Sequence, residues 1–166
     1  MTNKATRETL EHVHGKVGRE LLQAERSCRV HARREAKRQG AGAPADAMLA
    51  LAQHADRCES QLEALLGLPR RGVLAARVAA YAFTNVRHGL TDRFIAHERT
   101  YRVTLLGIRH GLDAARLLSS IADREDMPDL ATYLENLVAE RTRLFESAVA
   151  ALEWFADFPD RAAAHS

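Results

Sequence analysis

Three observations predict an all-α fold. Ala, Leu, Arg and Glu dominate the chain, and all four are strong helix formers. Val, Ile, Thr and the aromatics never gather into the alternating run of a strand. Apolar residues instead recur every three or four positions, in segments bounded by the four prolines, Pro44, Pro69, Pro128 and Pro159.

The first helix is expected from about Thr6 to about Arg38, with Leu10, Val13, Val17, Leu21, Ala24 and Cys28 as its buried stripe. Gly15 and Gly18 weaken its first half. The linker GAGAP, residues 40–44, ends it. The second helix runs from about Ala45 to Leu66, with Met48, Leu51, Ala55, Cys58, Leu62 and Leu65 in register. Gly67 followed by Pro69 stops it, a left-handed cap before a residue that cannot continue. A further helix is expected from Val73 to about Asn85, and RHGLTD, residues 87–92, reads as a break. The next helix starts near Asp92 and either stops at Gly111 or continues to about Arg124. REDMPD, residues 124–129, is a turn. The last helix covers roughly Asp129 to Asp157, with Leu130, Tyr133, Leu137, Leu144, Ala148, Ala151 and Phe155 in register. These amphipathic helices with short linkers predict an antiparallel four-helix bundle with an additional helix between its two hairpins. One domain is expected over residues 1–158, followed by a frayed tail at 159–166.

The bulk numbers exclude several functions. A chain of 166 residues with 46% apolar and 28% charged residues is globular rather than disordered. A net charge of +2 is too mild for a dedicated nucleic-acid binder, and 5% aromatics leave few stacking platforms. No uncharged apolar run of membrane-spanning length exists, and the N-terminus has no signal-peptide h-region. Cys28 and Cys58 form no disulfide framework. A cytoplasmic protein with no nucleic-acid or membrane partner is expected.

The stripes carry carboxylates. Glu98 interrupts the series Phe94, Tyr101, Leu105, Ile108, Leu112; Glu140 falls between Leu137 and Leu144; Glu25 sits between Leu21 and Cys28, and Glu59 between Ala55 and Leu62. A buried carboxylate needs a partner, a proton or a metal. One carboxylate from each of four helices suggests a di-metal site, in which two helices would each supply Glu and the other two Glu-x-x-His. The alternative is an ion pair with arginine one turn away, since Arg29, Arg102 and Arg143 follow Glu25, Glu98 and Glu140 at helical spacing. Glu25 and Glu59 are equidistant from the first linker and therefore level. Glu98 and Glu140 fall out of level by roughly 10 Å unless the helix breaks at Gly111.

Other constellations have plainer readings beside their functional ones. Cys28, His31, His54 and Cys58 are zinc-ligand types on facing helices, or two buried thiols with two stripe-edge imidazoles. HARREAKR, residues 31–38, is a phosphate-binding run or a solvated helix end. The RHG at 109–111 is an anion site or a helix terminus.

AERSCRVHARREA (24–36), LAQHADRCESQLEALLG (51–67), HERTYRVTLLG (97–107) and LENLVAERTRLFESA (134–148) resemble bacterial ferritin-like proteins, particularly the stress-induced YciE/YciF type. The resemblance implies a ferritin-like bundle, a dinuclear iron or manganese cofactor, a homo-oligomer such as a dimer, and a role in stress response. Glu25, Glu98 and Glu140 match the carboxylates of the first, third and fourth helices; Glu59 falls where the second helix usually has its metal-binding histidine, with Asp56 three residues before it in place of Glu, and all four glutamates would be ligands with Asp56 or His97 supporting. The chain departs from the pattern: its only Glu-x-x-His is Glu11 to His14, and Arg143 stands where the last helix would supply histidine. The resemblance is therefore compatible with a bundle that has lost its metals, its carboxylates neutralised by arginine, or with one that holds them and reacts with oxygen or peroxide.

Overall fold

The computed structural model describes residues 4–67 and 96–162. These are helical, with no strand among them. The helix expected over 73–85 and the break at 87–92 lie outside the described residues. The long elements are α1 (Lys4–Gln39), α2 (Ala43–Leu65), α3 (His97–Arg124) and α4 (Pro128–Ala150). Two single turns follow, α5 (Trp154–Asp157) and α6 (Pro159–Ala162).

The linker after α1 is shorter than GAGAP. Pro44 lies inside the first turn of α2, where its missing N–H costs nothing. Gly42 has φ of 103°, which disfavours side chains. A Cβ there would also lie 3.2 Å from the Trp154 indole. Gly67 closes α2 at φ 58°, the left-handed stop its sequence predicts.

Helix α3 does not break at Gly111 but runs on to Arg124. Gly111 serves close approach instead of termination: a Cβ added to it would lie 3.2 Å from the Cβ of Ala24. Gly111→Leu is therefore expected to overpack the α1–α3 contact and cost about 1–3 kcal/mol, read as a lower urea midpoint. At the other end, the last helix is shorter than its periodicity suggests. Helix α4 ends at Ala150, and a turn over 151–153 redirects the chain. Phe155 thereby enters the core edge-on to Tyr101, with ring centroids 5.5 Å apart. Residues 159–162 form a turn of helix, and Ala162 packs on the same cluster.

Helix α1 packs on α2 and α3, and α4 packs on α2 and α3. Cross-helix contacts give the directions. Gly18 faces Leu66, Arg26 faces Glu59, and Cys28 faces Leu51. Ala24 faces Gly111, and the Gln39 amide donates to the His97 carbonyl. The Tyr101 hydroxyl donates to the Ala148 carbonyl at 2.8 Å, and Tyr133 donates to the Cys58 carbonyl at 3.0 Å. Helix α2 thus finishes at the Gly18 end of α1, whereas α3 begins at the Gln39 end.

The core divides into two apolar clusters. One gathers Leu21, Leu22, Leu62, Leu118, Leu134 and neighbours; the other gathers Met48, Leu51, Ala55, Tyr101, Ile108 and Ala148. A polar layer lies between the two.

Candidate functional site

The centre of that layer is Arg141. Its side chain is 1% exposed, as is that of Glu25, its carboxylate partner. Arg141 Nη2 donates to Glu25 Oε2 at 2.5 Å and Nη1 donates to Oε1 at 3.1 Å. This is the two-pronged geometry in which guanidinium and carboxylate bind best. Arg141 Nε also donates to His54 Nδ1 at 3.0 Å, and Nη1 points to the Cys28 sulfur at 3.5 Å. One arginine from α4 therefore ties α1 to α2.

The helices supply these groups by phase. Glu25 follows Leu21 by four and precedes Cys28 by three on the buried stripe of α1. His54 lies one position before Ala55 on α2, and Arg141 lies four after Leu137 and seven before Ala148 on α4.

Guanidinium cannot accept a hydrogen bond, so its contact fixes the histidine tautomer. His54 Nδ1 is the acceptor and Nε2 carries the proton, facing Glu140 Oε2 at 3.3 Å. Glu140 is half exposed and also pairs with Arg57 at 3.1 Å. Burial, followed by the Arg141 charge, lowers the His54 pKa from 6.5 to about 4, so the ring is neutral at pH 7. Burial pushes the Cys28 thiol up to about 12, which keeps it protonated.

The ion pair is poised between large opposing effects. Burial raises the Glu25 pKa by more than Arg141 draws it down, and Glu59 adds to the rise. Burial also works against the Arg141 charge, but the Glu25 carboxylate leads the effects that outweigh it and raise that pKa. Desolvation thus cancels much of the attraction within the pair.

The six sequence-predicted ligands do not converge. Glu25 is in the layer. Glu59 lies beside it but binds Arg26 at 2.8 Å and Arg29 at 3.0 Å. Asp56 is exposed and pairs with Arg29 and Arg33. Glu140 is at the rim, against His54 and Arg57. Glu98 is bound to Arg102 at 2.7 Å on the surface. It stands thirteen residues before Gly111, the α3 residue level with Ala24, or about 20 Å along the helix. His97 begins α3, where its carbonyl accepts from Gln39 and Thr100. At the level of Glu25, α3 offers Ile108 and Leu112, both buried, in place of a carboxylate. Glu98→Leu is expected to change stability by less than about 1 kcal/mol, because an exposed i,i+4 pair contributes little. A urea midpoint within error of the parent is the result to look for.

The thiol-imidazole constellation also divides. Cys28 and Cys58 approach the layer, and the Cys58 sulfur lies 3.7 Å from His54 Nε2. His31 faces a separate cavity between α1 and α3. The Glu11–His14 pair lies far from the layer, where His14 contacts Glu125 beside the α3–α4 turn. His110 does not end a helix; it pairs with Glu20 at 2.9 Å.

Sequence reasoning missed Arg141. A signal existed: Leu134, Leu137, Arg141, Leu144 and Ala148 are spaced 3, 4, 3 and 4, as good a stripe as the one through Glu140. Only the approach of Glu25 across the bundle decides for burial of the arginine.

Glu25, His54 and Cys58 each offer a ligand atom within 4.8 Å of the others. They do not fit a metal as arranged. Both His54 nitrogens are engaged, both Glu25 oxygens accept from Arg141, and a fixed cation lies against the group. Comparison with known protein families, curated proteins and solved structures returns no match. Among the described residues, no helix is long and apolar enough to cross a membrane.

Proposed function

We propose that this chain is a ferritin-like antiparallel four-helix bundle in which an arginine takes the place of the metal centre, and that it works without metal-based catalysis. The observation that carries this reading is Arg141, fully buried and held by Glu25 and His54 where a di-metal protein would hold its ions. Helix directions support the form. Helices α1 and α4 run one way and α2 and α3 the other, so the bundle has one long connection, between α2 and α3, as ferritin-like folds do. The carboxylates are consistent with a di-metal ancestry and the cation with its loss. The same reading carries three further proposals: a homodimer, a cytoplasmic site of action and a role in stress response.

Metal analysis of protein expressed with added iron and manganese tests the reading. The expected result is far less than one ion per chain, unchanged in Glu25→Gln. Stoichiometric metal that is lost in Glu25→Gln would overturn it.

A second reading rests on one observation, the proximity of Glu25, His54 and Cys58. Such a donor set suits zinc or a similar borderline ion. It requires Arg141 to leave, and a chain that takes up zinc stoichiometrically would favour it.

A further inference from the structure

The outer face of α3 carries a second stripe, turned away from the core and from the buried ion pair. Leu106 is 70% exposed and Leu117 is 50% exposed. His110 and Asp113, also exposed, stand between them, so the four positions follow one another at spacings of 4, 3 and 4. That is the spacing of a seam along which one helix packs on another. Leu105, Ile108 and Leu112, the buried residues beside them in sequence, face the bundle instead.

The order of the stripe selects the partner. Leu106, His110, Asp113 and Leu117 are disposed symmetrically about the midpoint between Gly111 and Leu112. Laid against its own reverse, the stripe sets Leu106 level with Leu117 of a second copy, and His110 level with Asp113. Apolar then meets apolar, and an imidazole meets a carboxylate. Val103, 57% exposed, falls level with Ser120 at the ends of the seam. Laid parallel, the same stripe would set Asp113 against Asp113, and like charges face to face repel. A two-fold contact needs a surface complementary to itself, and this one is so when the helices run antiparallel. Within the chain, His110 pairs with Glu20 at 2.9 Å, and Asp113 pairs with Arg109 at 3.3 Å and Arg116 at 3.2 Å. These pairs are exposed and contribute little, so a partner from a second copy costs little to accommodate.

We propose that this face of α3 binds a second copy of the chain, the two α3 helices running antiparallel about a two-fold axis between Gly111 and Leu112. This interface belongs to the homodimer proposed above and rests on that reading. The seam from Val103 to Ser120 is about 26 Å long at the helical rise per residue. Two helices touching over that length bury less than the roughly 800 Å² per partner of a stable complex, so the dimer is weak.

Sedimentation velocity of the full chain from about 1 µM to about 1 mM tests it. A reversible monomer–dimer equilibrium is expected, with a dissociation constant of about 10–100 µM. Leu106→Glu/Leu117→Glu should weaken dimerisation about tenfold or more. Its melting temperature at about 1 µM should match the parent's, because both leucines are exposed in the single chain. Leu106→Glu/Leu117→Lys reads the direction. Antiparallel helices set its carboxylate level with the ammonium of the second copy, whereas parallel helices set like charge on like. It should dimerise several-fold more tightly than Leu106→Glu/Leu117→Glu. A chain that stays monomeric throughout overturns the homodimer and this face together. Undiminished dimerisation by Leu106→Glu/Leu117→Glu leaves the homodimer standing and overturns this face. A fall of more than about 4 °C in the melting temperature of that dilute variant also overturns it, because the leucines would then be covered by their own chain. Equal dimerisation by the two double variants overturns the antiparallel register. Metal content, measured separately, is untouched by any of these outcomes.

Discussion

Arg141→Met is expected to be the most damaging single substitution in the layer. It leaves the Glu25 carboxylate buried without its cation and removes the donor to His54. Breaking one side of a buried ion pair costs about 3–5 kcal/mol. For a chain of this length that corresponds to a fall in melting temperature of roughly 6–20 °C. The double variant Glu25→Leu/Arg141→Met should recover most of the loss, because it removes both charges from an apolar setting. The two single effects would then be strongly non-additive, as expected for groups in direct contact. Recovery would agree with the raised pKa of Glu25, in which burial outweighs attraction. If the double variant is no better than Arg141→Met, the layer depends on something other than charge compensation.

The second large effect concerns acid. The pKa of His54 is 6.5 when unfolded and about 4 in the fold. Between those values the unfolded chain binds the proton and the folded chain does not, so acid favours unfolding. The stability from keeping His54 neutral is fully present above about pH 6.5 and is lost as the pH falls toward 4. A shift of this size is worth about 3 kcal/mol. Arg141 and Arg57 hold the pKa down after burial, while Glu140 opposes them. His54→Gln keeps an acceptor for Arg141 and a donor for Glu140 without the titration. Its stability should fall less steeply than the parent's between pH 6.5 and 4.5, measured by urea unfolding at each pH. Parallel curves for the two proteins would contradict the account.

The helical class was legible because it is a local property. The 3–4 spacing of Leu21, Cys28, Met48, Leu51, Ala55 and Leu62 places these residues in the core. The stops at Gly67 and before Pro128 follow from backbone geometry alone. The level of Glu25 with the Glu59 region was also legible, because a short linker fixes the register of a hairpin. Three features were not. Gly111 reads as a terminator until Ala24 appears opposite it. The turn after Ala150 has no proline or glycine to announce it. Arg141 and Glu140 fit the stripe of α4 equally well, and the deciding contact comes from Glu25, more than a hundred residues away. Glu98 belongs to the apolar series of α3 in spacing but lies at its solvent end, where Arg102 suffices.

The central claim is that a guanidinium, fixed by Glu25 and His54, fills the place that a metal would need. Thermal unfolding of the unmodified chain, with excess zinc or manganese and with chelator, tests it most directly. A ligand that binds the folded state raises the melting temperature in proportion to its saturation. The account predicts the same melting temperature in all three conditions, because the guanidinium holds both Glu25 oxygens and His54 Nδ1 and sets a fixed cation against the site. A rise with either metal that disappears in Glu25→Gln would contradict it.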